Sequence, residues 1–148
     1  EAAPVSTAVL GDPAGTSTIT TAAPPAIAEQ PVEYAAYRID VDAANDQTRR
    51  SSAVVPAGSE FHLTDVVLQN PHRDLGLATL LRDDTVLYEW NLGQMNSANE
   101  FQPRISPLPF LPGENIVLSV ECEASGRPQG TGCQIGVLLT GYLTPAAD

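Results

Sequence analysis

The chain is expected to fold as an all-β protein, a two-sheet antiparallel β-sandwich of jelly-roll type preceded by an extended N-terminal arm. Three observations carry that expectation. Beyond residue 31, apolar and polar residues alternate at period two through successive short segments. Turn-forming residues, 13 Pro and 11 Gly, separate those segments. No segment shows the three-to-four-residue apolar spacing of an amphipathic helix. A length of 148 residues suits one domain with a tail, divided here into an arm over 1–31 and a sandwich over 32–148.

The arm is rich in Ala, Thr and Pro and has neither aromatic nor basic residues, so it cannot build a core of its own. Its composition suits a flexible or O-glycosylated stalk. Within it, however, residues 5–10 and 16–21 are β-compatible and are separated by Gly-Asp-Pro-Ala-Gly. Such segments can add to the sheet edge of a neighbour, with Val5, Val9, Leu10 and Ile19 as the apolar contacts.

In the sandwich, Ala35, Tyr37, Ile39 and Val41 share one face of a first strand, opposite Arg38, Asp40 and Asp42. A short piece, 52–55, ends at Pro56-Ala57-Gly58. Strict alternation through 61–69 puts His62, Thr64, Val66 and Leu68 on one side, and Phe61, Leu63, Asp65 and Val67 on the other. Residues 77–81 form an apolar run closed by the turn Arg82-Asp83-Asp84-Thr85. Val86, Tyr88, Trp90 and Leu92 then alternate as a half-buried strand. Residues 101–105 contain Pro103, which confines them to an edge or a bulge; a Pro-rich loop follows.

The last two segments have the clearest patterns. Ile116, Leu118, Val120 and Cys122 occupy one face of 115–122, and Cys133, Ile135, Val137 and Leu139 one face of 133–143. A disulfide between Cys122 and Cys133 is therefore expected to close a hairpin, placing Val120 opposite Ile135, Leu118 opposite Val137 and Ile116 opposite Leu139. Such a bond belongs to an oxidising compartment, and an opening Glu-Ala-Ala-Pro is what cleavage of a signal peptide leaves. The expected location is extracytoplasmic, secreted or at a cell surface, with a virion surface as the alternative.

Charge and composition exclude several function classes. Eighteen acidic residues against seven basic ones give a net charge of -11, which disfavours nucleic acid and anionic membranes as partners. All seven basic residues are Arg, so Lys-dependent Schiff-base chemistry, a Walker-type phosphate loop and lysine isopeptide cross-links are all ruled out. No apolar run is long enough to span a bilayer as a helix.

Catalytic motifs are missing as well: there is no Gly-x-Ser-x-Gly elbow and no His-Glu-x-x-His. His62 reads as a sheet residue. His72 lies in Asn-Pro-His-Arg-Asp, where Asp74 could orient it, but no nucleophile is spaced to complete a triad. No enzyme activity and no obligatory cofactor are expected; a hydrolase built on a carboxylate pair is the remote alternative, since no spacing selects two acids.

Candidate binding residues are of two kinds. Asp40, Asp42, Asp83 and Asp84 are candidate oxygen ligands for calcium (Ca2+), although no EF-hand pattern surrounds them and a solvated acidic face is the better explanation of such clusters. Leu108, Phe110 and Leu111 in the Pro-rich loop, with Leu138 and Tyr142 on outward strand positions, form a candidate contact patch. The sequence thus favours an exported structural subunit that self-associates noncovalently into a filament, surface layer or particle coat, its arm docked on a neighbour. The alternative is a secreted glycan- or protein-binding module.

Overall fold

A computed structural model of the chain describes residues 6–12, 15–21 and 32–147, with side chains from residue 32 onward except that of Ile105. It divides into two units, Glu1–Pro31 and Val32–Asp148. In the first, β1 (Ser6–Asp12) pairs antiparallel with β2 (Gly15–Thr21), in a register that sets Ala8 opposite Ile19 and Leu10 opposite Ser17. The β-compatible segments of the arm are therefore strands of one hairpin. Val9 lies in β1, whereas Val5 falls outside the described residues.

The second unit is an all-β sandwich of two four-stranded antiparallel sheets. Its strands are β3 (Glu33–Ala44), β4 (Thr48–Val54), β5 (Ser59–Gln69), β6 (Leu75–Arg82), β7 (Thr85–Asn91), β8 (Asn99–Phe110), β9 (Asn115–Ala124) and β10 (Gly132–Pro145). One sheet has the order β3-β10-β5-β8 and the other β4-β9-β6-β7. The pairs β3·β10, β4·β9, β5·β8 and β6·β7 nest one inside the next, as in a long hairpin wrapped around itself. This is jelly-roll topology.

The core lies between the sheets, where Phe61, Leu63, Leu68, Leu80, Phe110, Ile116, Leu118, Ile135 and Leu139 are fully buried. Tyr37 packs edge-on against Phe61, with ring centroids 4.8 Å apart. Burial pushes the Tyr37 phenol above its ordinary pKa of 10.0. The stability its neutral form contributes is intact below the unfolded value and is lost as pH rises through the raised one.

The cysteines do bond, with Cα atoms 5.7 Å apart, but they close no hairpin. β9 pairs with β4 and β6, and β10 with β3 and β5, so the two belong to different sheets. The expected pairing of Val120 with Ile135 and of Leu118 with Val137 is replaced by Val120 opposite Arg49 and Ala78, and Val137 opposite Ile39 and Leu68. Both apolar rows do face the core, but from opposite walls. The disulfide is an inter-sheet staple.

That position sets its contribution. Closing a loop with a sequence separation of 11 is worth about 3 kcal/mol in the chain-entropy account. Both cysteines are only 1 % exposed, so a reductant reaches the bond only after local opening. A Cys122→Ala/Cys133→Ala double variant is expected to melt about 10 °C lower, as read by thermal circular dichroism. Dithiothreitol without denaturant should leave the wild-type disulfide intact, as counted by free-thiol titration.

Bulges correct two further expectations. In β5, Thr64 is an extra residue against β10, where Thr140 pairs with Asp65 and Gly141 with Leu63, and the register against β8 shifts at the same place. Phe61, Leu63, Val66 and Leu68 all point inward as a result, and strict alternation fails at Thr64. Thr64 donates its hydroxyl proton to the Thr140 carbonyl at 3.1 Å. In β7 the register against β6 steps from Tyr88 to Val86, which leaves Val86 exposed and Tyr88 half-buried while Trp90 and Leu92 enter the core.

Candidate functional site

The outer face of the β3-β10-β5-β8 sheet carries the features that a plain solvated sheet face does not explain. Its register lays side chains in rows across all four strands. One row runs Arg38, Leu138, Val67, Phe101. Another runs Tyr34, Tyr142, His62, Pro109. Tyr34 is 90 % exposed and Phe101 58 %. Tyr142 stacks on the His62 ring with centroids 4.8 Å apart and an interplanar angle of 11°. His62 Nε2 shares a hydrogen bond with Thr144 Oγ1 at 2.9 Å, which holds the stacked ring in place.

The expected contact patch is thereby divided. Leu138 and Tyr142 stand on this outer face, and Leu111, just past β8, is exposed. Phe110 is not on the surface: it ends β8 fully buried, 6.1 Å from the Phe61 ring and 5.1 Å below the Arg82 guanidinium. Leu108 packs against the core beside it. The Pro-rich segment misled because it reads as loop, whereas Pro103, Pro107 and Pro109 all lie in β8, which is an edge strand and tolerates missing N–H donors.

Toward the other end of the same face, a row runs Asp40, Gly136, Gln69, Asn99. Gly136 has no side chain to fill the row, and a trough of about 380 Å³ opens over it, lined by Arg38, Asp40, Asp42, Gln69, Asn99 and Gln134 among others. The volume lies within the range of small-molecule sites. Arg38 holds Asp40 in a two-pronged contact, Nη2 to Oδ1 at 3.1 Å and Nε to Oδ2 at 3.2 Å. His72 Nε2 meets Gln134 Oε1 at 2.9 Å, which turns the Gln134 amide nitrogen away from the ring.

Asp40 and Asp42 thus belong to the trough, toward the disulfide end of β3, where Ala43 pairs with Cys133. Asp83 and Asp84 lie in the β6–β7 turn, at the end of the sandwich where β9 begins. The Asp83 carboxylate accepts the N–H of Asn115 at 2.9 Å and its amide nitrogen at 3.1 Å, so this acid caps a strand. The candidate calcium ligands are not brought together. Among the described residues, no group of three or more His, Cys, Asp or Glu side chains converges on a metal position.

One acid, Asp74, has a role other than the one expected from the sequence. Asp74 is fully buried and ties the loop after β9 to the sandwich. Its carboxylate accepts the backbone N–H groups of Gly126 and Gln134, each at 2.8 Å, and the Ser125 hydroxyl at 3.4 Å. Asn70 bonds the Asp74 backbone in both directions, at 2.8 and 3.0 Å. From the other side, Asn45 accepts the Ser125 N–H at 3.0 Å. Asp74 therefore does not orient His72, which turns to Gln134 instead. The only sequence signal was the spacing of Asn70 and Asp74 within one polar turn.

Fold and site define a class: a disulfide-stapled jelly-roll domain with a broad, partly aromatic outer sheet face and a polar trough at one end of it. No protein-family model matches the chain, and no curated protein matches it. No helix among the described residues is long and apolar enough to cross a membrane. The disulfide fits an oxidising setting.

Proposed function

We propose that the chain is an exported, noncatalytic structural subunit that assembles noncovalently with copies of itself, the N-terminal arm of one docking on the next. The observation that carries this reading is the β1–β2 hairpin, two seven-residue strands in a unit separate from the sandwich. A lone two-stranded hairpin is at best marginally stable in water and gains its stability from a further surface. Two features of the sandwich suit that need. Among the described residues, the outer edge of β3 has no hydrogen-bonded neighbour, which suits strand addition. At the start of β3, the row Tyr34, Tyr142, His62, Pro109 offers apolar and aromatic contact. The disulfide supports an extracytoplasmic placement, and a particle coat, surface layer or filament is the kind of assembly meant.

The test is native molar mass. Sedimentation equilibrium of the full chain is expected to give a multiple of 15.6 kDa, and a chain lacking residues 1–31 is expected to run as a monomer. A full chain that is monomeric at high micromolar concentration, or a truncated chain that assembles unchanged, removes the arm from the mechanism.

A further inference from the structure

We infer that the trough over Gly136 is a binding site for a neutral glycan, holding one sugar ring by its hydroxyl edge. This inference is independent of how the chain assembles. A sugar presents alternating donors and acceptors along its rim and a weakly apolar ring face, so its site needs planar polar groups of both kinds beside an apolar strip. The four-stranded register supplies this combination. Asp40 offers acceptor oxygens, held by the Arg38 fork at 3.1 and 3.2 Å. Gln69, Asn99 and Gln134 are amides able to donate and accept, and the His72 contact at 2.9 Å fixes which way Gln134 presents its nitrogen. One row along, Leu138, Val67 and Phe101 form the apolar strip, with Phe101 58 % exposed at its edge.

Gly136 makes the space. It is buried despite facing outward, and a Cβ at that position would stand 2.6 Å from Asp40 Oδ1 and 3.2 Å from an Arg38 nitrogen. Any other residue there would displace the polar pair and fill the floor. Charge selects among glycans. With a net charge of -11 and two carboxylates lining the trough, polyanionic chains are repelled, and neutral sugars are the class that fits. The trough lies about 20 Å from the Tyr34 row, six residues along β3, so a sugar there does not compete with contacts at the tyrosine end.

The experiment is a titration of the 15N-labelled full chain, followed by amide chemical shifts. The probes are maltohexaose, cellohexaose, mannohexaose and chitohexaose, with a hyaluronan hexasaccharide as the acidic counterpart and a synthetic peptide of residues 1–31 as the competing occupant. At least one neutral probe is expected to shift the amides of Gln69, Asn99, Gln134 and Gly136 saturably. Gln134→Ala and Asp40→Ala are each expected to weaken it about tenfold, the worth of one hydrogen bond. Gly136→Ala is expected to abolish it. The crowding atoms there end exposed side chains rather than backbone, so this variant should keep the wild-type melting curve. No saturable shift with any neutral probe overturns the inference, as does binding that maps elsewhere or survives Gly136→Ala. Preference for hyaluronan or for the arm peptide at these residues overturns it equally.

Discussion

Replacing Asp74 with Ala is expected to destabilise the sandwich by about 4 kcal/mol, because its carboxylate makes two strong bonds and each bond to a charged group is worth about 1.5–3 kcal/mol. The donors are backbone N–H groups of Gly126 and Gln134, both at 2.8 Å. They have little freedom to find other partners. A Cβ at Gly126 would collide with the carbonyls of His72 and Arg73, so the loop lies flat against the β5–β6 turn with no room to shift. Gln134 is held in the β3·β10 ladder. Guanidinium unfolding followed by tryptophan fluorescence gives the free energy. Asp74→Asn, which keeps one acceptor oxygen, should fall between Ala and wild type. A loss under 1 kcal/mol for the Ala variant would mean that solvent replaces the carboxylate, contrary to its full burial.

Phe61→Ala carries an effect of similar size, about 4 kcal/mol, from lost transfer energy and the cavity left behind. Phe61 is fully buried and packs against two aromatic neighbours of its own sheet, Tyr37 at 4.8 Å and Phe110 at 6.1 Å. Collapse into the space is blocked from the β10 side, because Gly141 already lies against the Phe61 ring and the His62 carbonyl at the β5–β10 bulge. The control is Phe101→Ala on the outer face, where truncation should stay within about 0.5 kcal/mol. Equal losses at the two positions would contradict the assignment of inner and outer faces.

The strands themselves were legible because burial on one face writes alternation directly into the chain. Residues 115–122 and 133–143 gave the inward face of Ile116, Leu118, Val120, Cys122, Cys133, Ile135, Val137 and Leu139 correctly, although Val117, between Ile116 and Leu118, is buried as well. What alternation does not encode is the partner. A core-facing residue looks the same whether its neighbour is beside it in the sheet or across from it in the other sheet, and a short cysteine spacing makes the hairpin the simpler reading. The jelly roll takes the second option. Bulges were invisible for a related reason: Thr64 and Leu87 are ordinary strand residues, and only the register of their neighbours, against β10 and β6 respectively, makes them extra. Asp40 and Asp42 were legible as one face, but the trough required Gln69, Asn99 and Gln134 from three other strands, brought alongside by pairing alone.

The staple between the sheets also decides how the domain would respond to pulling. Glu33 pairs with Leu143, so the chain enters and leaves the sandwich side by side at one end. Tension applied there would load the β3·β10 ladder one hydrogen bond at a time, the weak unzipping direction for a pair of strands. Cys133 is at the far end of that ladder, opposite Ala43 and covalently anchored to β9. A pulled β10 could therefore peel back only as far as Cys133 before the load passes to a covalent bond. A single-molecule trace would show an early, soft extension limited by that stop, lengthening when the disulfide is reduced.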